Sequence, residues 1–326
     1  MTRYDKMKYN RCGKSGVLLP GISLGLWHNF GTDAPFTNCR EMVLGSFDLG
    51  ITHFDLANNY GPLPGSAEET FGRILKSDLM GYRDELFIST KAGYNMWEGP
   101  HGEWGSKKHM LSSLDQSLKR MGLEYVDLFY HHRPDPDTPL DETIDALEQA
   151  MRSGKAMYVG ISNYNPQGTA AMLEACSRRG IRLLIHQMNY SMFQRHSEDI
   201  IDVLDSNKIG SIAYCPLAQG LLTDRYLGGI PEGSRAATKG TFLKKENVTD
   251  DKLTKVKALN EIAKSRGQSL AQMALVWVLQ RTTSALIGAS VFSQIEENVK
   301  ALDNMCFSSD EAAEIDNVLS GLLYRP

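Results

Sequence analysis

The chain has 326 residues, 42% hydrophobic and 23% charged, an ordinary balance for a folded protein that can bury a large core without disulfide or metal staples. Its formal charge of −4 argues against nucleic acid or an anionic membrane surface as a partner. Cys12, Cys39, Cys176, Cys215 and Cys306 are odd in number and form no CxxC, so they read as free thiols of a reducing compartment, and a cytoplasmic location is expected.

Residues 1–16 are polar and lead into no apolar run, so no signal peptide is expected, and no stretch approaches the ~18 apolar residues of a membrane span. Residues 9–20, with Gly13 and Gly16 in their middle, read as a hairpin. Short β-rich apolar runs follow at 22–27, 51–57, 86–92, 126–132, 156–163, 184–190, 210–217 and 284–290. The near-continuous hydrophobicity of runs such as 126–130 suits strands buried on both faces of a parallel sheet.

Amphipathic helices are predicted between them. Residues 109–121 carry Met110, Leu114, Leu118 and Met121 on one stripe, ended by Gly122. Residues 140–152 repeat the pattern with Leu140, Ile144, Leu147 and Met151, closed by Gly154. The segment 251–280 is long for one helix, so Gly267 should split it and Ser269 cap its second half. Ser293-Gln294-Ile295-Glu296 reads as a capping box after the last strand, whose helix N-terminus would offer free N–H groups to an anion. The longest irregular stretch, 228–250, belongs at the catalytic face. Roughly eight strand–helix alternations predict an α/β fold, a (β/α)8 TIM barrel with an N-terminal β-hairpin, as one domain spanning 1–326.

Polar residues fall at the ends of successive predicted strands: Asp55, Lys91, His132, Asn163 and Gln187, with Tyr60 in the loop after Asp55. In a barrel these ends converge on one mouth. A buried Lys or Asp is expensive alone, so Lys91 and Asp55 should pair. An ammonium beside Tyr60 should stabilise its phenolate and lower its pKa, and a His in reach could orient a carbonyl oxygen. Together they make a plausible acid for reducing C=O with hydride from a nicotinamide.

Other motifs fail. Gly13-Lys14-Ser15 lacks the earlier glycine of a P-loop, because Lys8 stands there, and no GxGxxG follows the first strand. His131 and His132 are neighbours on a strand and face opposite ways, so no metal set is expected. Gly160-Ile161-Ser162-Asn163 runs into Tyr164, which excludes the nucleophile elbow of a serine hydrolase.

In order and spacing, Phe54-Asp55-Leu56-Ala57-Asn58-Asn59-Tyr60-Gly61, Ser89-Thr90-Lys91, Val126-Asp127-Leu128, Val159-Gly160-Ile161-Ser162-Asn163-Tyr164 and Tyr214-Cys215-Pro216-Leu217 resemble the aldo-keto reductase superfamily over essentially the whole chain. Leu24 to Gly31, Gly65-Ser66-Ala67-Glu68-Glu69 and Gly93-Tyr94-Asn95-Met96-Trp97 look closest to its bacterial L-glyceraldehyde 3-phosphate reductases. Arg133-Pro134-Asp135 and Ser234-Arg235 are shared with the similar β subunits of voltage-gated potassium channels.

The resemblance implies Tyr60 as general acid, Lys91 as its pKa modulator, Asp55 as the Lys partner and His132 as the substrate-orienting histidine. It implies NADPH/NADP+ as cofactor. Gly25, Leu26, Trp27 and Asp55 would line it, Ser162, Asn163 and Gln187 would hold the carboxamide, and Tyr214 would stack on the ring, followed by Cys215, Pro216, Leu217, Gln219 and Gly220. Arg225, Ser234, Arg235, Gly288, Ser290, Gln294, Glu297 and Asn298 would receive its phosphate and adenine end.

The implied substrates are small aldehydes such as L-glyceraldehyde 3-phosphate or methylglyoxal, in a pocket of Trp27, Tyr60, Trp97, His132 and Arg133, with Phe30, Tyr94 and Trp104 as further aromatic walls. Arg133, with Lys107 or Lys108, is the candidate to receive a substrate phosphate. The alternative is a cofactor-sensing regulatory module like the channel β subunits, which carry Asn where this chain has His132. The likeness also implies a homo-oligomer, tetramer or octamer. Two departures stand out: a short loop around 236–249, and His131 where relatives often carry a small residue.

Overall fold

The computed structural model describes residues 2–232, 235–237 and 243–320. After a hairpin of β1 (Tyr9–Arg11) and β2 (Leu18–Pro20) come eight strands: β3 (Ile22–Gly25), β4 (His53–Asp55), β5 (Phe87–Ala92), β6 (Val126–His131), β7 (Ala156–Ser162), β8 (Ile185–Asn189), β9 (Gly210–Tyr214) and β10 (Ser284–Ile287). They close in chain order, β10 pairing parallel with both β3 and β9, into the expected barrel. The predicted runs overshoot the ladders at their C-terminal ends. Residues such as Leu26, Trp27, Leu56 and Ala57 have left the sheet for the mouth loops, and apolar loop residues cannot be told from strand residues by hydrophobicity.

The period of two divides each strand between two cores. Outward residues such as Leu24, Phe54, Ile88, Phe129, Val159 and Ile287 join the main core beneath the helices. Inward Leu128, Tyr130, Ile185, Ile212 and Leu286 form a separate core. The hairpin seals its floor with Cys12, Val17 and Leu19. Gly160 makes room for Tyr130 to cross the barrel, since a Cβ there would lie 2.9 Å from the Tyr130 ring.

Helices α1 (Phe36–Asp48), α2 (Ser66–Ile74), α3 (Lys107–Met121), α4 (Leu140–Arg152), α5 (Pro166–Arg178) and α6 (Glu198–Asn207) alternate with the strands; α3 and α4 present the predicted stripes, and α3 ends at left-handed Gly122, φ 68°. Gly267 separates α7 (Asp250–Ser265) from α8 (Leu270–Leu279), whose N-terminus Ser269 caps by a reciprocal bond pattern with Gln272. The capping box at 293–296 is not formed. Helix α9 (Phe292–Val299) starts two residues earlier than that box requires, and Gln294 Oε1 instead accepts from Ser290 N at 2.9 Å. The cause is packing: Phe292 fills the space left by Gly45 on α1 (Phe36–Asp48), where a Cβ would come within 2.3 Å of its ring. In the 228–250 stretch the described residues form short 3-10 turns, and Ala236 and Leu243 pack on Leu221 and Tyr226 beyond β9. No helix among the described residues is long and apolar enough to cross a membrane.

Among the histidines that burial keeps neutral, His53 is depressed to about 4, and His131 and His186 to about 3. An unfolded chain protonates them near pH 6.5, so their stabilisation is complete above that pH and is lost as pH falls towards the folded values. Unfolding near pH 5 should take up roughly three protons at these sites, a slope of about 4 kcal/mol per pH unit. Urea unfolding at stepped pH measures it. His186→Asn should lower the slope by about one proton, and an unchanged slope would contradict the assignment.

Candidate active site

Alternation places His53 and Asp55 of β4, and Ser89 and Lys91 of β5, on the inner face. Lys91 Nζ donates to Asp55 Oδ2 at 2.5 Å, to the Leu56 carbonyl at 2.7 Å and to the Tyr60 hydroxyl at 3.2 Å, which uses all three ammonium hydrogens. Neither charged side chain has any solvent exposure. The other carboxylate oxygen, Oδ1, accepts from Ser89 Oγ at 2.7 Å and Gln187 Nε2 at 3.1 Å. The predicted pair therefore exists, with the hydrogen bonds that a buried pair needs to repay its desolvation.

Tyr60 stands between two rings, stacked on Trp27 at 5.7 Å and edge-on to His132 at 5.9 Å. Because its oxygen accepts from Lys91, its own proton remains free for another acceptor. The expected lowering of its pKa is not met. Burial holds the phenol well above its ordinary value, reinforced by Asp55, Tyr214, Cys215 and Tyr94. The physical reason is that burial outweighs the ammonium, whose charge is paired with Asp55. Burial likewise lowers Lys91, against the pull of Asp55. His132 is pushed well below the ordinary histidine range by burial, then by Lys91, His131 and Arg133. Its ring is thus neutral, with Nδ1 lacking a partner in the described structure. A protonated phenol beside a neutral imidazole can deliver a proton to an oxygen in the mouth.

His131 points the other way, its Nδ1 bonded to the Tyr164 hydroxyl at 2.6 Å, so only His132 enters the mouth. Tyr94 meets His132 edge-on at 4.6 Å. Arg133 is not a free cation. It lies over Tyr94 at 4.2 Å and Trp104 at 3.8 Å, donates to the Gly93 carbonyl at 3.0 Å and pairs with Glu103. It clasps the loop after β5 to the loop after β6. Lys107 and Lys108 open α3. Trp97 lies against His109 at 5.0 Å, and Phe30 is in the main core instead of a pocket wall.

Asn163, left-handed at φ 62°, accepts from the Tyr214 hydroxyl at 2.7 Å and donates to the His132 carbonyl at 3.0 Å, tying three strand ends together. Ser162 Oγ is buried and without a partner. Between 215 and 220, Cys215, Ala218, Gln219 and Gly220 all have positive φ (53°, 47°, 59° and 98°), strain that three non-glycine residues hold only under constraint. Pro216 and Leu217 lie within that segment, and Arg225 follows, exposed, in a 3-10 turn. Gly25 ends β3, Leu26 donates its N–H to the Asp55 carbonyl at 3.0 Å, and Gly288 follows β10. Glu297 accepts from Gln272 Nε2 at 2.8 Å, and Asn298 is buried on the same helix. Ser234 and the Arg235 side chain lie outside the described residues.

Sequence reading missed Glu103, and it missed His53 and Ser89. A signal for the latter two existed: each stands two residues before a predicted site residue on one strand, hence on the same face.

A model of the aldo/keto reductase family matches residues 21–320. The chain is 56% identical over 321 residues, 96% of its length and 93% of the relative's, to the Escherichia coli (strain K12) protein named "L-glyceraldehyde 3-phosphate reductase". It is 34% identical over 304 residues, 91% of its length and 92% of the relative's, to an Oryza sativa subsp. japonica protein named "Probable voltage-gated potassium channel subunit beta".

Removing one partner of the sealed ion pair strands the other charge. Lys91→Met should cost about 3–5 kcal/mol, and adding Asp55→Leu should recover much of that loss. Denaturant unfolding of both variants checks this; equal stability of Lys91→Met and the parent would show that the pair is not buried in solution.

Proposed function

The chain belongs to the aldo/keto reductase family, and on that premise we propose that it reduces small aldehydes to alcohols with NADPH, using Tyr60 as the proton donor. The observation that carries this reading is the Tyr60 hydroxyl 3.2 Å from Lys91 Nζ, accepting from a lysine already neutralised by Asp55 and keeping its own proton for the mouth. His132, neutral and beside the ring, orients the carbonyl oxygen that takes this proton. Trp27 covers the opposite face of Tyr60 and excludes water from it.

The residues present suit a nicotinamide dinucleotide. The buried Ser162 hydroxyl lacks a partner and would serve a carboxamide, Asn163 and Gln187 stand beside it, and the strained 215–220 turn would bring backbone against the dinucleotide. Bound there, the reduced nicotinamide supplies the hydride. Ser290, Gln294, Asn298, Glu297, Arg225, Ser234 and Arg235 would hold the phosphate and adenine end. Family likeness supports NADPH over NADH, a homo-oligomer and a cytoplasmic setting as parts of the same proposal.

The substrate class follows from the relative named for L-glyceraldehyde 3-phosphate, with methylglyoxal as a smaller member of the same kind. A regulatory role like that in the name of the Oryza sativa relative is less favoured, because the site keeps His132 against Tyr60.

The test is NADPH oxidation with phosphorylated and unphosphorylated aldehydes. Tyr60→Phe should lower kcat about 100- to 10,000-fold, and retained turnover would unseat Tyr60. No aldehyde-dependent oxidation by the parent would overturn the reductase reading. Arg133→Met, which opens the loop clasp, should reduce kcat/KM for both aldehyde types by a similar factor. A loss confined to the phosphorylated ones would make Arg133 a phosphate ligand after all.

A further inference from the structure

One half of the barrel interior is unusual for this architecture, where branched aliphatic residues dominate. Across β10, β3, β4 and β5 one layer of inward positions is Ser284, Ser23, His53 and Ser89, all without solvent exposure. They are joined end to end. Ser284 Oγ lies 2.7 Å from Ser23 Oγ, which lies 2.9 Å from His53 Nδ1. His53 Nε2 lies 3.0 Å from Ser89 Oγ, which lies 2.7 Å from Asp55 Oδ1.

The direction of every bond can be worked out from its last member. An ionised carboxylate only accepts, so the single Ser89 hydrogen goes to Asp55. Ser89 must then accept from His53, which places the ring hydrogen on Nε2. His53 Nδ1 is left as an acceptor, so Ser23 donates to it, and Ser284 in turn donates to Ser23. The hydrogens all point one way, towards Asp55. Bonds aligned in this sense polarise one another, and their combined donor strength falls on Asp55 Oδ1. At the far end the Gly21 carbonyl, 3.4 Å from Ser284 Oγ, is a longer alternative acceptor for the one Ser284 hydrogen, which the 2.7 Å contact to Ser23 takes up, and a carbonyl cannot pass a proton on. The array is built to hold a charge in place and not to conduct.

We propose that His53 and Ser89, backed by Ser23 and Ser284, are positioning residues that fix the Asp55 carboxylate and, through it, the Lys91 ammonium against the Tyr60 oxygen. This rests on Tyr60 being the proton donor. None of the four touches the mouth; their effect passes through Asp55. Removing Ser89 leaves Oδ1 with Gln187 alone, and removing His53 takes away the donor that polarises the Ser89 hydroxyl; either change makes the carboxylate a stronger base and draws the ammonium away from Tyr60. The groups facing Tyr60 and Asp55 from the neighbouring elements are Lys91, Tyr94, Tyr130, His132, Tyr214 and Cys215, and the variants below leave all of them unchanged.

The experiment compares Ser89→Ala, His53→Leu and His53→Gln with the parent and Tyr60→Phe. Glutamine carries a donor and an acceptor spaced much like the ring nitrogens. Ser89→Ala and His53→Leu should lower kcat about tenfold while KM for aldehyde and NADPH stays within about twofold. They should also move the pH midpoint of the reverse alcohol oxidation upward, and His53→Gln should restore most of both. Unchanged kcat and pH midpoint in Ser89→Ala, with Tyr60→Phe inactive, would overturn the proposal while leaving the reductase reading intact. If the parent proves inactive, the reductase reading fails, and nitrogen-15 NMR decides the array alone. A neutral His53 protonated on Nε2 supports it; a proton on Nδ1 overturns it.

Discussion

A lysine ammonium and an aspartate carboxylate face each other at 2.5 Å inside a closed barrel, with no water contact for either. Such a pair survives only if every remaining valence is answered, because the desolvation it suffers is several kcal/mol per ion. The Leu56 carbonyl, the Tyr60 hydroxyl, Ser89 and Gln187 are those answers. The polar half of the interior exists to serve this one contact, and the apolar half around Tyr130 supplies the dense wall that keeps it dry.

The mouth is held by a second set of bonds that do not involve the pair. Asn163 ties the ends of β6, β7 and β9, and Arg133 clasps two loops through Gly93, Glu103 and the faces of Tyr94 and Trp104. The Tyr94 edge rests on His132, so the clasp and the reacting centre meet at one ring. A floor and a separately braced rim let the mouth loops change without disturbing the contact of Lys91 with Tyr60.

Most of this barrel is legible in the sequence because strands buried on both faces write themselves as short apolar runs. A lysine or aspartate at the end of such a run is too costly to bury without a partner, so the pairing of Lys91 with Asp55 follows from cost alone. The rest is hidden for physical reasons. Arg133 reads as a free cation, since nothing in a sequence shows that Glu103, thirty residues earlier, will meet it. The start of α9 falls before 293 because the gap at Gly45 that draws in Phe292 is a tertiary fact. His53 and Ser89 lie within reach of the period-two rule, which names a face but does not say that its next layer down is polar. Glu68, within a stretch that carries the family likeness, is a buried structural acid bonded to Arg120 and Thr90.

The hairpin under the barrel makes the site a blind well. Cys12, Val17 and Leu19 close the bottom, and the serine–histidine array above them ends on a carbonyl. On the proposed chemistry, each proton that Tyr60 gives up must be replaced from the same opening that admits the aldehyde. Recharging the phenol and clearing the product then become one event, and the residence time of the alcohol sets how soon the next cycle can begin.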